Sequence, residues 1–125
     1  MSGPTEAPGP GRVPHGGDPL TLLLVEDDRA DAIIVEELIA DAGVDMDVTW
    51  APSMADAERE ISAARPDCIL LDLHLHDTDG IDGLARIGRQ DPGIPVVVLT
   101  GLNDEHFGVS AVASGAQDYL VKGRV

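Results

Sequence analysis

Aromatic, basic and sulfur-bearing residues are all scarce in this chain. Aromatics make up 2% of its 125 residues, with one Trp, one Tyr and one Phe, so aliphatic side chains must fill the interior. Eight Lys and Arg stand against 23 Asp and Glu, a formal charge of -15. A chain so acidic is repelled by nucleic-acid phosphates and by anionic lipid. The expectation is no direct nucleic-acid binding and no membrane binding, with divalent cations and basic protein surfaces as the favoured partners. The single cysteine, Cys68, forbids an intrachain disulfide, and a free thiol inside an apolar run fits a reducing compartment. No basic n-region precedes an apolar stretch, and no apolar run approaches the roughly 20 residues that span a bilayer. A cytoplasmic location is the resulting expectation.

The length fits one domain. Residues 1–18 are rich in proline and glycine, among them Pro4, Pro8, Pro10, Pro14, Gly16 and Gly17. Such a segment lacks apolar area to bury and is expected to be a disordered tail. Residues 19–125 should fold.

Within that part, apolar runs alternate with amphipathic stretches. Leu20 to Val25 reads as a strand running into Glu26-Asp27-Asp28. A helix follows from Arg29 to Ala42, with Asp28 as N-cap, Gly43 after its end, and Ala30, Ile34 and Leu38 as its core stripe, widened by Ile33 and Val35. Met46 to Ala51 alternates apolar and polar residues, which predicts a strand near an edge. Ser53 with Asp56 resembles a capping box for a second helix reaching about Ala64. Cys68 to Asp72 is a run apolar enough for a strand buried on both faces, and it ends on a carboxylate. A third helix, Ile81 to Gln90, contains Gly83 and Gly88 and is expected to be short or frayed. Pro95 to Thr100 is the most β-prone stretch. Asn103 to Ser114 predicts a fourth helix with Asn103 as its cap, and Gln117 to Val121 a fifth strand followed by Lys122.

The order βαβαβαβαβ implies an α/β fold around a parallel sheet. A helix after the fifth strand is missing, so one sheet face beside that strand should be uncovered. The chain is therefore expected to be a truncation of something longer, cut before a fifth helix.

Parallel strands bring their carboxyl ends to one edge, where ligands of open α/β sheets bind. Glu26 and Asp27, Asp72, Thr100 and Lys122 should therefore converge. Three carboxylates at one spot repel each other, and a hard divalent cation with oxygen ligands relieves the conflict. Mg²⁺ takes one or two carboxylates together with phosphate oxygen. Lys122 supplies a cation on the other flank and Thr100 a hydroxyl. Such a set would orient a phosphoryl group, with Asp72 as its nucleophile.

Leu23-Leu24-Val25-Glu26-Asp27-Asp28, Leu70-Leu71-Asp72-Leu73, Val98-Leu99-Thr100-Gly101 and Tyr119-Leu120-Val121-Lys122 together resemble the receiver domain of two-component response regulators. Each motif is weak alone; four in order, each at a strand end, are specific. The resemblance implies a flavodoxin-like, doubly wound five-stranded sheet in the order 2-1-3-4-5. It implies Asp72 as phosphoacceptor from a sensor histidine kinase or phosphotransfer protein. It also implies Mg²⁺ held by Asp27, Glu26, Asp72 and the backbone carbonyl of His74. Thr100 and Lys122 would meet the phosphoryl group, and Tyr119 would move with Thr100 to alter the surface around the fourth helix and fifth strand. That surface would act on an output domain or partner protein, or through dimerisation. The module would be a self-phosphorylating and self-dephosphorylating switch, not a turnover enzyme.

Two positions depart from the family pattern. Gly123 follows Lys122 where proline is usual, and His76 stands where proline is common. The ending Val121-Lys122-Gly123-Arg124-Val125 resembles receivers fused to actinobacterial signalling outputs such as sporulation-type serine phosphatases.

Plainer readings exist for each residue. Taken singly, Asp72 is a strand-end cap, Glu26-Asp27-Asp28 a solvated cluster, Thr100 a turn cap, Lys122 a surface charge and Tyr119 a core aromatic. His74 and His76 could share a face with Asp72 or Asp77 and bind Zn²⁺, or simply be solvated. Two other functions compete with the switch. One is a Mg²⁺-dependent aspartyl-nucleophile phosphohydrolase, which needs a second acid where His74 stands. The other is a phosphorylation-independent scaffold.

Overall fold

The computed structural model describes residues 19–122; the tail expected at 1–18 and the segment after Lys122 lie outside the described residues. Five strands and four helices alternate: β1 (Leu20–Val25), α1 (Arg29–Asp41), β2 (Met46–Ala51), α2 (Met54–Ala63), β3 (Cys68–Asp72), α3 (Gly80–Gln90), β4 (Val96–Thr100), α4 (Glu105–Ala113) and β5 (Asp118–Val121). All strand pairs are parallel, in the order β2-β1-β3-β4-β5. The expected flavodoxin-like order is the observed one, and β2 is an edge strand, as its alternation foretold.

Alternating residues of the central strands feed two cores. Leu23, Val25, Ile69, Leu71, Val96 and Val98 pack with Met54, Ala57, Ile61, Leu84, Ile87 and Ala111 of α2, α3 and α4. Leu22, Leu24, Leu70 and Leu99 face the other way, towards Ala32, Val35 and Ile39 of α1. That second face is incompletely covered. An apolar groove of about 210 Å³ lies between α1 and β5, with Leu38, Val44, Leu70, Leu99 and Leu120 among its lining.

Local signals place most helix ends. Asp28 caps α1 by accepting from the N–H groups of Ala30 and Asp31 at 2.8 and 3.3 Å. Gly43 takes φ +72° just after it, a backbone state that glycine adopts without strain. Ser53 Oγ accepts from the Asp56 N–H at 3.0 Å and donates to Asp56 Oδ2 at 2.8 Å.

Three expectations are corrected. The core stripe of α1 is Ala32, Val35 and Ile39; of the expected stripe only Val35 packs on the core, whereas Ala30, Ile33, Ile34 and Leu38 are exposed. Apolar residues surround this helix on most sides, so spacing alone could not select the face; the small Ala32 lets the helix sit close to the sheet. Helix α3 is neither short nor frayed. It runs 11 residues, and Gly83 is buried where a Cβ would come 2.8 Å from Met54 Cε. Helix α4 begins after Asp104 rather than Asn103, and that cap position makes no side-chain cap bond.

Glycines in the helices divide by what surrounds them. Nothing lies within 4 Å of a Cβ built on Gly88, but on Gly108 it would sit 2.6 Å from Tyr119 Cδ2 and 3.0 Å from Tyr119 Cβ. Gly88→Ala should therefore stabilise the domain by about 0.5–1 kcal/mol through helix propensity. Gly108→Ala should destabilise it by about 1–3 kcal/mol through overpacking. Urea unfolding of the two variants checks both signs.

Candidate phosphoryl and metal site

Strand register brings the sequence-picked residues together. Val25 pairs with Leu71, Asp72 with Leu99, and Thr100 with Val121. The residues at or just after those ends, Glu26, Asp27, Asp72, Thr100 and Lys122, thus share the carboxyl edge of the sheet. One carboxylate oxygen from each of Glu26, Asp27 and Asp72 lies within 4.8 Å of the others. Glu26, Asp72 and Thr100 are buried, although all three are polar.

Lys122 stands across from them. Its Nζ is 2.9 Å from Glu26 Oε1, 3.1 Å from Asp31 Oδ2 and 3.5 Å from Asp72 Oδ1. Its backbone N–H donates to the Thr100 carbonyl at 2.7 Å, which fixes the end of β5 beside the end of β4. Burial acts to lower the pKa of Lys122, but Glu26, Asp72 and Asp31 together hold it above its ordinary range.

Glu26 is tied in by backbone as well as charge. Its Oε2 accepts from the Asp28 N–H at 3.2 Å, and its carbonyl accepts from Trp50 Nε1 at 2.5 Å. Burial pushes its carboxyl up to about 7, and the neighbouring Asp72 adds to the rise against the pull of Lys122 and the Asp28 N–H. Asp72 Oδ1 accepts from the His74 N–H at 3.0 Å. Thr100 Oγ1 is buried and has no hydrogen-bond partner.

The two loop histidines diverge. His74 turns its Nε2 to Asp104 Oδ2 at 3.2 Å and lies edge-on to Phe107, with ring centroids 6.0 Å apart. His76 meets Asp27 instead, its Nδ1 3.0 Å from Oδ2. They do not share a face, so the zinc alternative loses its geometry. Among the described residues the metal-capable group is the carboxylate trio. His106 is exposed on α4 against Phe107.

Three participants escaped the sequence reading. Asp31, in the first turn of α1, shares Lys122 with the site. Trp50 reaches Glu26 from the neighbouring strand. Asp77 accepts from the N–H groups of Met54 and Ala55 at 3.0 and 3.2 Å, pinning the β3–α3 loop to the start of α2. Burial acts to raise the Asp77 pKa, but those two N–H groups hold it below its ordinary value. Only Asp31 left a signal: it lies one helical turn beyond Asp27, close to the same strand end.

The trio fits a hard divalent cation. It offers oxygen ligands, it holds a carboxylate whose pKa is raised by burial and by the neighbouring Asp72, and Lys122 is its near cation on one flank. The orphaned Thr100 hydroxyl leaves a buried polar atom available to an anion's oxygen or a proton acceptor.

The sequence matches the family described as response regulator receiver domain over residues 22–124. It is 27% identical over 103 residues to the chemotaxis protein CheY of Listeria monocytogenes, covering 82% of this chain and 86% of that one. It is 39% identical over 102 residues to the DNA-binding response regulator MtrA of Mycolicibacterium smegmatis, covering 81% of this chain but 43% of the relative. The crystal structure of the Mn²⁺-bound form of response regulator Rcp1 superposes with a TM-score of 0.73 at 32% identity, covering 86% of this chain and 84% of that one.

The elevated Glu26 pKa has a sign that can be measured. An unfolded glutamate releases its proton near 4.5, whereas the folded one keeps it to about 7. Between those values the native state binds the extra proton, so stability falls as pH rises through the window, by on the order of 3 kcal/mol at most. Glu26→Gln should flatten that fall. Urea midpoints in metal-free buffer from about pH 5 to pH 8 check it.

Proposed function

The chain belongs to the receiver domains of two-component response regulators, and on that premise we propose that it is a phosphoacceptor switch, with Asp72 as the residue modified. The observation that carries this reading is the convergence of Asp72, Glu26, Asp27, Thr100 and Lys122 on one sheet edge, with the cation 3.5 Å from the proposed nucleophile.

In this reading one carboxylate oxygen of Asp72 forms a new P–O bond while the P–N bond of a kinase phosphohistidine breaks. The electron pair of that bond stays on the imidazole, which leaves and takes up a proton. Glu26, Asp27, Asp72 and the His74 carbonyl would hold Mg²⁺. The ion supplies charge neutralisation for the entering phosphoryl oxygens. Lys122 faces the phosphoryl group from the opposite flank, and the unpartnered Thr100 hydroxyl is positioned to donate to one of its oxygens. The Mn²⁺ bound by Rcp1, a relative of the same fold, supports a divalent ion here.

Tyr119 is the proposed readout. Its hydroxyl donates to Glu105 Oε2 at 2.7 Å, and its ring lies over Gly108 of α4. It therefore spans β5 and α4, the surface through which a partner or output domain would sense Thr100. The domain would serve a sensor histidine kinase or phosphotransfer protein in the cytoplasm, without itself touching nucleic acid. MtrA, which is DNA-binding, is more than twice as long as the part matched here. The phosphohydrolase alternative needs an acid at position 74. His74 instead gives its N–H to Asp72 and its ring to Asp104.

Incubation with acetyl phosphate and MgCl₂ should add one phosphoryl group, visible on a Phos-tag gel and by intact mass. Asp72→Asn and excess EDTA should each abolish it, and Lys122→Ala should slow it by about 100-fold. Equal labelling of Asp72→Asn would sink the assignment.

A further inference from the structure

Asp27 is held differently from its neighbours. Glu26 has Lys122, the Asp28 N–H and, through its carbonyl, Trp50. Asp72 has the His74 N–H and Lys122. Asp27 has His76: both the backbone N–H and the ring Nδ1 of that one residue lie 3.0 Å from Asp27 Oδ2. A carboxylate can only accept, so the ring nitrogen in this contact carries the proton and donates. Both bonds fall on the same oxygen. They fix the rotation of the carboxylate while its other oxygen keeps its lone pairs.

The residue that makes these bonds is itself anchored. Asp77, the next residue, is pinned through its carboxylate to the first two N–H groups of α2. The loop thus reaches Asp27 from a fixed base, over a sequence separation of 49 residues. Proline at position 76, common in the family, could provide neither bond, since it lacks both the N–H and a donor side chain.

We propose that His76 is a positioning residue for Asp27, presetting its carboxylate to receive a divalent cation. This rests on the reading of Glu26, Asp27 and Asp72 as a cation site. Partners that orient a metal-binding side chain typically contribute 10–100-fold to metal affinity. A ring that only decorated the surface would contribute nothing.

The experiment is calorimetric titration of the full chain with MgCl₂ at fixed pH, with the fluorescence of Trp50 as a second readout. His76→Ala should raise the Mg²⁺ dissociation constant about tenfold. His76→Asn, whose side-chain N–H can reach the place of Nδ1, should stay within about twofold of the parent. The His76 side chain is 69% exposed, so the unfolding midpoint in metal-free buffer should be the same in all three proteins. If His76→Ala loses stability, the Asn variant, close in size and polarity, decides. Unchanged affinity in His76→Ala, or an Asn variant as weak as Ala, would overturn the proposal. A parent chain that does not bind Mg²⁺ would overturn the cation reading itself, and with it this inference.

Discussion

The charge balance around Lys122 governs the rest of the molecule's chemistry. One ammonium reaches three carboxylates, those of Glu26, Asp31 and Asp72, and Asp27 stands beside them. A unit charge pair about 4 Å apart attracts with about 4 kcal/mol at an effective dielectric near 20. Removing each ion from water costs several kcal/mol. One cation cannot offset the desolvation of so many carboxylates, and the raised pKa of Glu26 is the visible sign of the deficit. The cluster is therefore poorly explained as a device for stability. A neutral, well-packed strand end would serve folding better. The excess negative charge makes sense as a site that a cation completes.

Why the fold was legible, and where it was not, follows from the range of the interactions involved. Asp72 announced itself because an apolar run buried on both faces leaves no innocuous place for a carboxylate. The same argument applied to Glu26, Thr100 and Lys122, since parallel strands must end on a common edge. Capping by Asp28 and Ser53 was readable because the partners lie within three residues. The face of α1 was not readable: Ile33, Ile34, Val35, Leu38 and Ile39 leave two faces equally apolar, and only the fit of Ala32 against the sheet chooses between them. The full length of α3 was hidden for a related reason. Gly83 looked like a helix-weakening residue, yet Met54 from another helix occupies the space a side chain would take. At the site, Trp50 and His76 reach their partners across 24 and 49 residues. No local pattern encodes such contacts.

The geometry also bears on how a change at the edge could travel. The Thr100 carbonyl and the Lys122 N–H are bonded at 2.7 Å, so the ends of β4 and β5 are tied into one unit. Tyr119, three residues before Lys122, stands between that unit and α4, with its hydroxyl on Glu105 and its ring against Gly108. The space there is already full, because a single added carbon would lie 2.6 Å from the ring. Packed interiors of this density do not deform by small degrees; they rearrange between discrete packings. Any rearrangement of Tyr119 would have to break its bond to Glu105 in the first turn of α4.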